Sequence, residues 1–311
     1  GRLVTFLAGM PDSVPGMTFN RLCGSSMQAV LSAAASIESG WGDCYLCAGV
    51  ESMSRVKRRG FNWSPHPGLE LDWPEAYVTM GETAENIAMK WKIGREEQET
   101  FALESHIKAS TAQREHRFEE EIIPVTDGES VITEDGCIRP DATLDAMARL
   151  NPVFTEGGSV TAATSSPLTD GAVAMIVCSE EFASQRGLKV MARIVSGAVS
   201  GCPPGIMGIG PVEATRKVLE RTGWGIETVD LFELNEAFSS QSMAVISELD
   251  LDRTKINIDG GALAIGHPLG ASGARIVGKA ANLLQRTKSN RAIATMCIGG
   301  GMGIAIALES P

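Results

Sequence analysis

Two stretches of this chain repeat one pattern, in which apolar strands alternate with helices rich in glycine, alanine and serine. Residues 1–52 and 180–311 both show it. The first contains Cys23-Gly-Ser-Ser-Met-Gln-Ala-Val30 at the start of a helix, and the last opens a similar helix at Leu269-Gly-Ala-Ser-Gly-Ala-Arg275. Helices of such small residues pack closely on all sides. The pattern therefore predicts an α/β protein of two facing halves, each with a buried central helix.

The residues between these two stretches differ from them in composition. Residues 53–159 are more charged and rich in turns, and we interpret them as an inserted loop domain with helices at 83–91 and 96–116. After the insertion, Gly171–Cys178 is an uninterrupted apolar run of the kind found in parallel sheets. The predicted halves are an N-terminal half of residues 1–52 and 160–180 and a C-terminal half of residues 181–311.

The charge balance argues against two classes of partner. The 311 residues carry a formal net charge of −11 with a pI of about 5.0, which disfavours general binding to nucleic acid or to membrane surfaces. No stretch is long and apolar enough to span a bilayer. Seven cysteines, an odd number in a chain of this size, indicate a reducing cytoplasm rather than a disulfide framework.

Cys44 and Cys47 form a C-x-x-C pattern within an apolar run that we interpret as a buried strand. Residues three apart on a strand point to opposite faces, so these two thiols cannot share a metal ion. No second cysteine pair follows at the spacing of a zinc site, and we predict no metal site. Both thiols are expected to be buried and to pack as small apolar side chains.

Cys23 lies in a Gly/Ser turn immediately before a predicted helix. At such a position, backbone N–H groups and the helix dipole favour the thiolate and lower the thiol pKa. The same N–H groups suit an oxyanion formed when the thiolate attacks a carbonyl. Taken alone, a cysteine at such a turn is as often structural as catalytic, so both interpretations stay open at this point.

His267 has the most distinctive surroundings of the four histidines. It lies between Gly266 and Pro268 in a loop that we expect to connect a strand to a helix, and the glycines around it allow a close approach of backbone and ligand. As a neutral imidazole it can accept the proton of Cys23. The other histidines lie in polar segments and are expected to be exposed and without a catalytic role: His66, His106 and His116.

Two further polar positions follow apolar strands. Cys297 comes after the predicted strand 292–296 and is followed by Ile298-Gly-Gly-Gly-Met-Gly303. The end of a strand that opens into glycines is a usual place for a site residue in α/β folds. Asn235-Glu-Ala-Phe238 follows the predicted strand 229–234. In isolation, a polar residue at the end of a strand is more often a helix cap than a catalyst.

Together these segments resemble the thiolase family along essentially the whole chain. The strongest matches are Asn20–Gln28, Asn235–Phe238, the long run Asn257–Arg275 and Cys297–Gly303. The resemblance implies a thiolase fold, an α/β arrangement of two similar halves in five layers, αβαβα, with the inserted loop domain. It also implies an acyltransferase that uses coenzyme A as a substrate, holds no permanent cofactor, and assembles as a homodimer or homotetramer.

The resemblance also assigns roles to the matched residues. Cys23 would attack the 3-keto carbon of an acyl-CoA, release acetyl-CoA and carry the acyl group until CoA removes it. Cys297 would protonate the departing acetyl carbanion, and His267 would activate Cys23 and help to hold one oxyanion. Asn235 would position the water that completes that oxyanion hole. The backbone N–H groups of Cys23 and Gly299 would form the other.

Four more residues are expected from the resemblance to bind substrate. Ser166 matches a family position that contacts the pantetheine arm of CoA. Met80 matches a position near the acyl pocket, and Ala237 and Phe238 follow Asn235 in its motif.

The sequence departs from the family pattern in ways that leave alternatives open. Thr79 stands where acetoacetyl-specific members carry a histidine, which favours longer 3-ketoacyl chains and a role in β-oxidation. Gly299–Gly303, in contrast, resembles the acetyl-specific class, so an acetyl-CoA C-acetyltransferase is the alternative. A non-catalytic CoA- or lipid-binding relative should lack Cys23, His267 or Cys297. A decarboxylating condensing enzyme would carry a second histidine in place of Cys297.

Two further segments lead to predictions about the start of the chain and about a basic surface. Arg2–Met10 resembles the end of a helix that family members reach only after their first strands. We expect either that the natural protein extends upstream of Gly1 or that this chain folds poorly alone, because missing strands leave backbone groups unpaired. The basic run Arg55-Val-Lys-Arg-Arg59 is either a solvated loop or a patch that faces the CoA phosphates or another subunit.

Overall fold

The computed structural model describes residues 1–56 and 60–311. The helices are α1 (Arg2–Leu7), α2 (Ser25–Glu38), α3 (Pro67–Asp72), α4 (Met80–Trp91), α5 (Arg95–Arg114), α6 (Leu144–Ala148), α7 (Glu180–Arg186), α8 (Gly210–Thr222), α9 (Ser239–Leu249), α10 (Ala262–Ile265) and α11 (Leu269–Thr287). The strands are β1 (Cys44–Glu51), β2 (Val125–Asp127), β3 (Ser130–Ile132), β4 (Gly171–Cys178), β5 (Arg193–Gly201), β6 (Leu231–Leu234), β7 (Arg291–Ile298) and β8 (Met302–Glu309). Arg55 is exposed, whereas Lys57, Arg58 and Arg59 of the basic run lie outside the described residues, so the role of that run stays a prediction.

The C-terminal half is built around a four-stranded sheet in the order β5-β8-β7-β6. β6 pairs in parallel with β7, and β8 pairs antiparallel with both β7 and β5. Alternate residues of a strand point to opposite faces of the sheet. Ala292, Ala294 and Met296 of β7 accordingly enter one apolar core, and Ile293 enters the other. The sheet is therefore covered on both faces, as the uninterrupted apolar sequence of β7 predicts.

The two small-residue helices, α2 and α11, fill one of these cores and confirm the prediction of buried central helices. They cross so closely that a Cβ on Gly273 would lie 2.6 Å from the backbone nitrogen of Met27. Ser26 stabilises the crossing, because its Oγ accepts from the Ala274 N–H (2.9 Å) and donates to the Ala271 carbonyl (3.1 Å). Larger side chains at these positions would force the helix axes apart.

A two-stranded sheet lies on the other side of α2 and α11. β1 and β4 pair antiparallel along their whole length, so the prediction that Gly171–Cys178 belongs to a parallel sheet is wrong. The prediction that the run containing Cys44 is a buried strand is also wrong. Cys47 is buried, whereas Leu46 and Val50 are 53% and 68% exposed. An antiparallel strand with one uncovered face usually alternates apolar and polar residues, so the exposed outer face of this sheet departs from what its uninterrupted apolar sequences predict.

The described residues therefore form four of the five predicted layers. In order, these layers are α8 with α9, the four-stranded sheet, α2 with α11, and the β1–β4 sheet. The outer face of the β1–β4 sheet, which includes Leu46, Val50 and Ile176, is exposed.

The inserted region contains the two predicted helices as α4 and α5, with ends within three residues of the prediction. Thr79 begins α4 through a capping box, because its N–H donates to Glu82 Oε2 (3.0 Å) while its Oγ1 accepts from the Glu82 N–H (3.5 Å). Lys92 ends α4 in the left-handed conformation, and Gly94 leads into α5. α5 packs against α9 and α10, so the insertion contacts the C-terminal half close to the His267 loop.

Candidate active site

A small network of hydrogen bonds bends the backbone in front of Cys23. Leu22 has a φ of +48°, a left-handed conformation that leucine rarely adopts. Its N–H donates to Asn20 Oδ1 (3.0 Å), and its carbonyl accepts from the Ser25 hydroxyl (2.6 Å). Ser25 Oγ also accepts from the Arg21 N–H (3.0 Å). Asn20 and Ser25 therefore hold the strained turn that carries Cys23 at the start of α2.

The end of β7 lies against this turn. A Cβ on Gly24 would lie 2.5 Å from Ile298 Cδ1, and a Cβ on Gly299 would lie 3.4 Å from Leu22 Cδ1 and 3.3 Å from Met80 Sδ. Because both positions are glycine, the two backbones can approach each other closely. The structure thus brings together the start of α2, the end of β7 and the Met80 side chain.

Cys297 is buried near the end of β7, with 1% of its surface exposed. Burial raises the pKa of its thiol well above the ordinary value, and Cys23 and Cys202 raise this pKa further. The effect of Cys23 on this pKa reflects the proximity of the two side chains. Because the thiol of Cys297 stays protonated at neutral pH, it suits a proton donor better than a nucleophile.

His267 lies between α10 and α11, so the prediction that a strand precedes it is wrong. The preceding segment forms a short helix because the N–H groups of Gly261 and Leu263 donate to side chains rather than to a neighbouring strand. Gly266 adopts a φ of +95°, and a Cβ there would lie 2.5 Å from Thr169 Oγ1. The same oxygen accepts from the His267 N–H (3.2 Å) and fixes the backbone of the histidine.

The two ring nitrogens of His267 have different partners. Nδ1 lies 2.6 Å from Ser272 Oγ, and that hydroxyl donates its proton to the Pro268 carbonyl (3.0 Å). Ser272 therefore accepts from Nδ1–H, which leaves the lone pair on Nε2. Burial lowers the pKa of His267 to about 3, and Arg275 contributes to the decrease. The imidazole is thus neutral at neutral pH, with Nε2 as its acceptor.

Asn235 faces His267 from the end of β6. Its N–H donates to the Thr295 carbonyl of β7 (3.0 Å), and its Nδ2 lies 3.4 Å from His267 Nε2. It is not a helix cap, because α9 begins only after Phe238. Its Oδ1 is buried and has no hydrogen-bond partner among the described residues. Such an atom costs about 1–3 kcal/mol of folding free energy, which is typical of a site that binds a polar group.

Glu236 belongs to the same motif, but sequence analysis gave it no role. Its buried carboxylate accepts from Ser105 Oγ (2.7 Å), Asn257 Nδ2 (2.7 Å) and the Leu263 N–H (3.2 Å). Burial raises the pKa of Glu236, and the hydrogen bonds from Ser105, Asn257 and Leu263 oppose that increase. Glu236 thus ties β6 and α5 to the loop that precedes His267. An acid between an apolar strand and a small-residue helix was the available signal, since a buried carboxylate requires several donors.

The residues expected at the acyl group lie in one apolar cluster with Cys297. Ala237 and Phe238 are buried in it, and Met80 packs against it. Phe154 also packs there, with its ring edge-on to Phe238 at a centroid distance of 5.9 Å. Sequence analysis missed Phe154 because no motif surrounds it. It also missed three buried members of the cluster: Ala84, Val160 and Met207.

Ser166, expected at the pantetheine arm, lies beside this cluster. It is half-buried, and its N–H donates to the Ala237 carbonyl (3.0 Å). Thr169, three residues later, accepts from the backbone of His267. The segment 164–169 therefore runs along the site from the apolar cluster to the histidine.

The other histidines lie outside this group of residues. His66 and His116 are exposed, as predicted. His106 is buried, which contradicts the prediction, because it lies on the inner face of α5 and its Nδ1 accepts from the Arg139 N–H (3.2 Å). Burial lowers its pKa, with a contribution from Arg139, so it is a neutral core histidine with a satisfied ring nitrogen. The polar sequence around it does not report which face of α5 is covered.

The predicted arrangement of the C-x-x-C pair is confirmed in part. Cys44 is exposed and Cys47 is buried, so the two thiols do point to opposite faces, although only Cys47 packs in the core. Among the residues that the structure describes, no group of histidine, cysteine or acidic side chains could hold a metal ion. Over the same residues, no helix is both long and apolar enough to cross a membrane.

Known proteins match this chain over nearly its whole length. The family model of the thiolase N-terminal domain matches residues 1–181, and that of the thiolase C-terminal domain matches residues 188–310. The chain is 46% identical to a 3-ketoacyl-CoA thiolase of Pseudoalteromonas translucida, over 99% of this chain and 81% of that protein. It is 43% identical to an acetyl-CoA acetyltransferase of Chromobacterium violaceum, over 98% of this chain and 82% of that protein.

The fold agrees with a solved structure. Human mitochondrial 3-ketoacyl-CoA thiolase in complex with CoA superimposes with a TM-score of 0.92 at 38% identity, covering 100% of this chain and 82% of that one. The expected α/β thiolase fold is therefore confirmed. On the family models, the relatives and the fold together, the chain belongs to the thiolase family.

Proposed function

We propose that this chain cleaves a 3-ketoacyl-CoA with CoA, giving acetyl-CoA and a shortened acyl-CoA, through an acyl-Cys23 intermediate and a reversible Claisen step. The observation that carries the proposal is the convergence of the start of α2, the Cys297 thiol and the Asn235–His267 pair around one apolar cluster. Thiolases are acyltransferases, and 3-ketoacyl-CoA thiolases are among the relatives of this chain.

Cys23 is the proposed nucleophile, and His267 its proton acceptor. Nε2 carries the lone pair because Nδ1–H donates to Ser272. Since burial lowers the pKa of His267 to about 3, the imidazolium is stable only beside a negative charge, such as the new thiolate or an oxyanion. The thiolate attacks the 3-keto carbon, and the bond between C2 and C3 then breaks with its electron pair left on C2.

Cys297 is the proposed acid for that carbanion. Its thiol has a pKa well above the ordinary value, so it enters the reaction with the proton that C2 receives. The resulting thiolate takes the proton of an incoming CoA thiol. The sulfur of CoA then attacks the acyl-Cys23 thioester, which releases the shortened acyl-CoA and restores both cysteines.

Two oxyanions form during this reaction, and each needs hydrogen-bond donors. We assign the enolate oxygen to His267 and to a water held by Asn235, and the buried unpaired Oδ1 of Asn235 supports the assignment. We assign the tetrahedral intermediate to the backbone N–H groups of Cys23 and Gly299. The close approach of Gly24 to Ile298 supports that second site, because it brings these two segments together.

The acyl chain is proposed to be longer than acetyl, as in β-oxidation. Phe154, Phe238 and Met80 offer an apolar surface beside Cys297. Thr79, which stands in the place of the histidine of acetoacetyl-specific members, uses its side chain to cap α4 and donates to Glu82 Oε2 (2.6 Å). The alternative is an acetyl-CoA C-acetyltransferase, and the 43% identity to a protein of that name supports it.

The remaining assignments rest on family membership. CoA is proposed to lay its pantetheine arm along Ser166, and the half-buried position of Ser166 next to the apolar cluster supports this. A homodimer or homotetramer is proposed on the same ground, whereas the reducing cytoplasm is proposed on the odd number of cysteines, seven.

Thiolysis of two substrates tests the function and the chain length together. Acetoacetyl-CoA and a ten-carbon 3-ketoacyl-CoA would be compared by the loss of 3-keto thioester absorbance. We expect kcat/KM to be at least tenfold higher for the longer substrate, about 1.4 kcal/mol of transition-state binding, and the reverse order supports the alternative. Cys23→Ala should reduce either rate by roughly 10³-fold or more, whereas Cys47→Ala, a buried cysteine in β1, should not. A Cys23→Ala protein as fast as wild type would exclude the acyl-enzyme.

A further inference from the structure

Asp259 is a fully buried carboxylate at the centre of an ion network. Its Oδ1 accepts from Arg117 Nη1 (3.1 Å) and from Arg286 Nη2 (2.7 Å). Its Oδ2 lies 2.7 Å from Lys279 Nζ and 2.6 Å from Arg286 Nη1. Burial alone would raise the pKa of Asp259, but the hydrogen bond from Arg286 and the charge of Lys279 lower it to about 2. The carboxylate is therefore charged at neutral pH and faces three cations.

The cations of this network come from two distant parts of the chain. Lys279 and Arg286 lie in the second half of α11, whereas Arg117 follows α5 in the inserted region. Lys279 is 3% exposed, and its Nζ also donates to Glu121 Oε1 of the insertion (2.8 Å). The network therefore joins the loop that contains Asp259 both to α11 and to the inserted region.

The loop of Asp259 is fixed to β6 on its other side. Asn257 adopts a φ of +43°, a left-handed conformation that asparagine tolerates better than most residues. Its side chain pairs with the N–H (2.9 Å) and the carbonyl (2.8 Å) of Leu234, the residue before Asn235. Asp259 thus follows, after one intervening residue, a side chain that is aligned with the end of β6 at the candidate site.

His267 lies in the segment between Asp259 and Lys279. This segment, residues 260–278, contains α10, His267 and the first half of α11. Because Asp259 precedes the segment and Lys279 follows it, the ion pair between them fixes its two ends to each other. A displacement of either end would reach the imidazole, whose Nε2 lies 3.4 Å from Asn235 Nδ2.

Stability alone does not account for a buried network of this kind. Removing charges from water costs about as much as their mutual attraction returns, so apolar side chains in the same place are often as stable. Charged hydrogen bonds, in contrast, fix the direction and distance of their partners. The placement that the network imposes is therefore what apolar packing would not supply.

We propose that Asp259 is a positioning residue for His267. Through Lys279 and Arg286, it holds the imidazole where it can accept the proton of Cys23. The proposal rests on the proposed function, because it takes His267 as that proton acceptor. Asp259 acts only through other residues and takes no part in the proton transfer itself.

Alkylation of Cys23 measures this positioning without any 3-ketoacyl substrate. The rate with iodoacetamide would be followed by peptide mapping as a function of pH, since the thiolate is the reacting form. His267→Ala shows the effect of losing the proton acceptor. Asp259→Asn keeps the shape of the side chain but removes its charge. It should slow alkylation at neutral pH by roughly tenfold or more and move the rise in rate to higher pH, as His267→Ala does.

Thiolysis provides a second measurement on the same variants. In Asp259→Asn, kcat should fall by roughly tenfold or more while KM for CoA changes less than about twofold. Lys279→Met should also lower kcat. The double variant should lose less than the product of the two single losses, because both substitutions remove one shared contact. Losses that multiply fully would overturn the proposal.

Two controls separate positioning from folding. Glu104→Gln breaks the exposed ion pair with Arg253 (2.6 Å), which joins α5 to the segment before the same loop, and should leave kcat unchanged. Val218→Ala opens a cavity beneath α8 in the outer layer. It should lower stability and leave kcat per folded enzyme unchanged.

The proposal and the proposed function fail by different results. If His267→Ala slows alkylation but folded Asp259→Asn behaves as wild type in both assays, the positioning role is overturned. If Asp259→Asn does not fold, Lys279→Met decides by the same comparison. If His267→Ala alkylates as fast as wild type, the proposed role of His267 fails instead.

Discussion

Replacing Glu236 with glutamine tests how the site is held in place. The substitution keeps the shape of the side chain but removes the charge and turns one acceptor oxygen into a donor. In the structure both carboxylate oxygens face donors only. Oε1 accepts from Asn257 Nδ2, whereas Oε2 accepts from Ser105 Oγ and the Leu263 N–H.

The expected loss of unfolding free energy depends on which hydrogen-bond donor loses its acceptor. A glutamine oxygen in the position of Oε2 keeps the bonds from Ser105 and Leu263, which leaves its NH₂ group facing Asn257 Nδ2. Asn257 cannot turn its amide over, because its Oδ1 accepts from the Leu234 N–H (2.9 Å) and its Nδ2 donates to the Leu234 carbonyl (2.8 Å). Two buried donors then oppose each other. One unsatisfied buried group costs about 1–3 kcal/mol, so we expect Glu236→Gln to lose about 2 kcal/mol of unfolding free energy.

Urea unfolding measures this loss, with Glu129→Gln as the control because Glu129 is exposed. The control should change stability by less than about 0.5 kcal/mol. Because Glu236 holds the loop in front of His267, kcat should also fall by roughly tenfold or more while KM for CoA changes little. A Glu236→Gln protein within about 0.5 kcal/mol of wild type and with unchanged kcat would refute the reasoning.

Three further predictions concern Cys297 as the proposed acid, the central helices and a buried carboxyl group. Cys297→Ala should suppress thiolysis by roughly 10²-fold or more while Cys23 still takes up an acetyl group from labelled acetyl-CoA, and loss of that label would contradict the division of roles. Gly273→Ala should cost about 1–3 kcal/mol in urea unfolding, because its Cβ would lie 2.6 Å from Met27 N. Gly278→Ala on the same helix, where the nearest atom is 3.5 Å away, should instead be neutral or stabilising. Burial raises the pKa of Glu233 from 4.5 to about 8, so the folded state binds a proton that the unfolded state has lost over this range, and stability falls as pH rises through it. Glu233→Gln should remove that fall between pH 5 and pH 8, and an unchanged pH dependence would exclude Glu233 as its source.

Local sequence was enough to predict the elements that have only one stable environment. α2 and the start of α11 are rich in small residues, which favour burial on several sides, and β7 is apolar on both faces. The partner of β4 is not encoded locally, because the pleat allows the same apolar run to pair in either direction. The burial of His106 likewise depends on which face of α5 packs against the C-terminal half, and a polar helix sequence does not specify that face.

The residues of the candidate site also differ in whether local sequence predicts them. Cys23, His267, Asn235 and Cys297 were predicted because each lies in glycine- or strand-end surroundings that resemble a known family. The role of Glu236 depends on contacts with distant segments, and its only local signal is the position of an acid between an apolar strand and a small-residue helix. Ser272, which fixes the tautomer of His267, and Phe154, which packs on Phe238, are further cases.

The crossing of α2 and α11 explains why the segments that carry Cys23 and His267, the proposed reacting residues, lie close together. Cys23 precedes α2 and His267 precedes α11, and the helices touch within one turn of their starts, where Ser26 contacts Ala271 across 245 residues of sequence. A single close crossing therefore fixes Cys23, the proposed nucleophile, and His267, its proposed proton acceptor, at the same end of the central layer. Gly273 lies in that crossing, so a side chain there should displace one helix start from the other. Its effect on kcat should accordingly exceed what the loss of folded protein alone explains, since reacting groups are sensitive to displacements of about 1 Å.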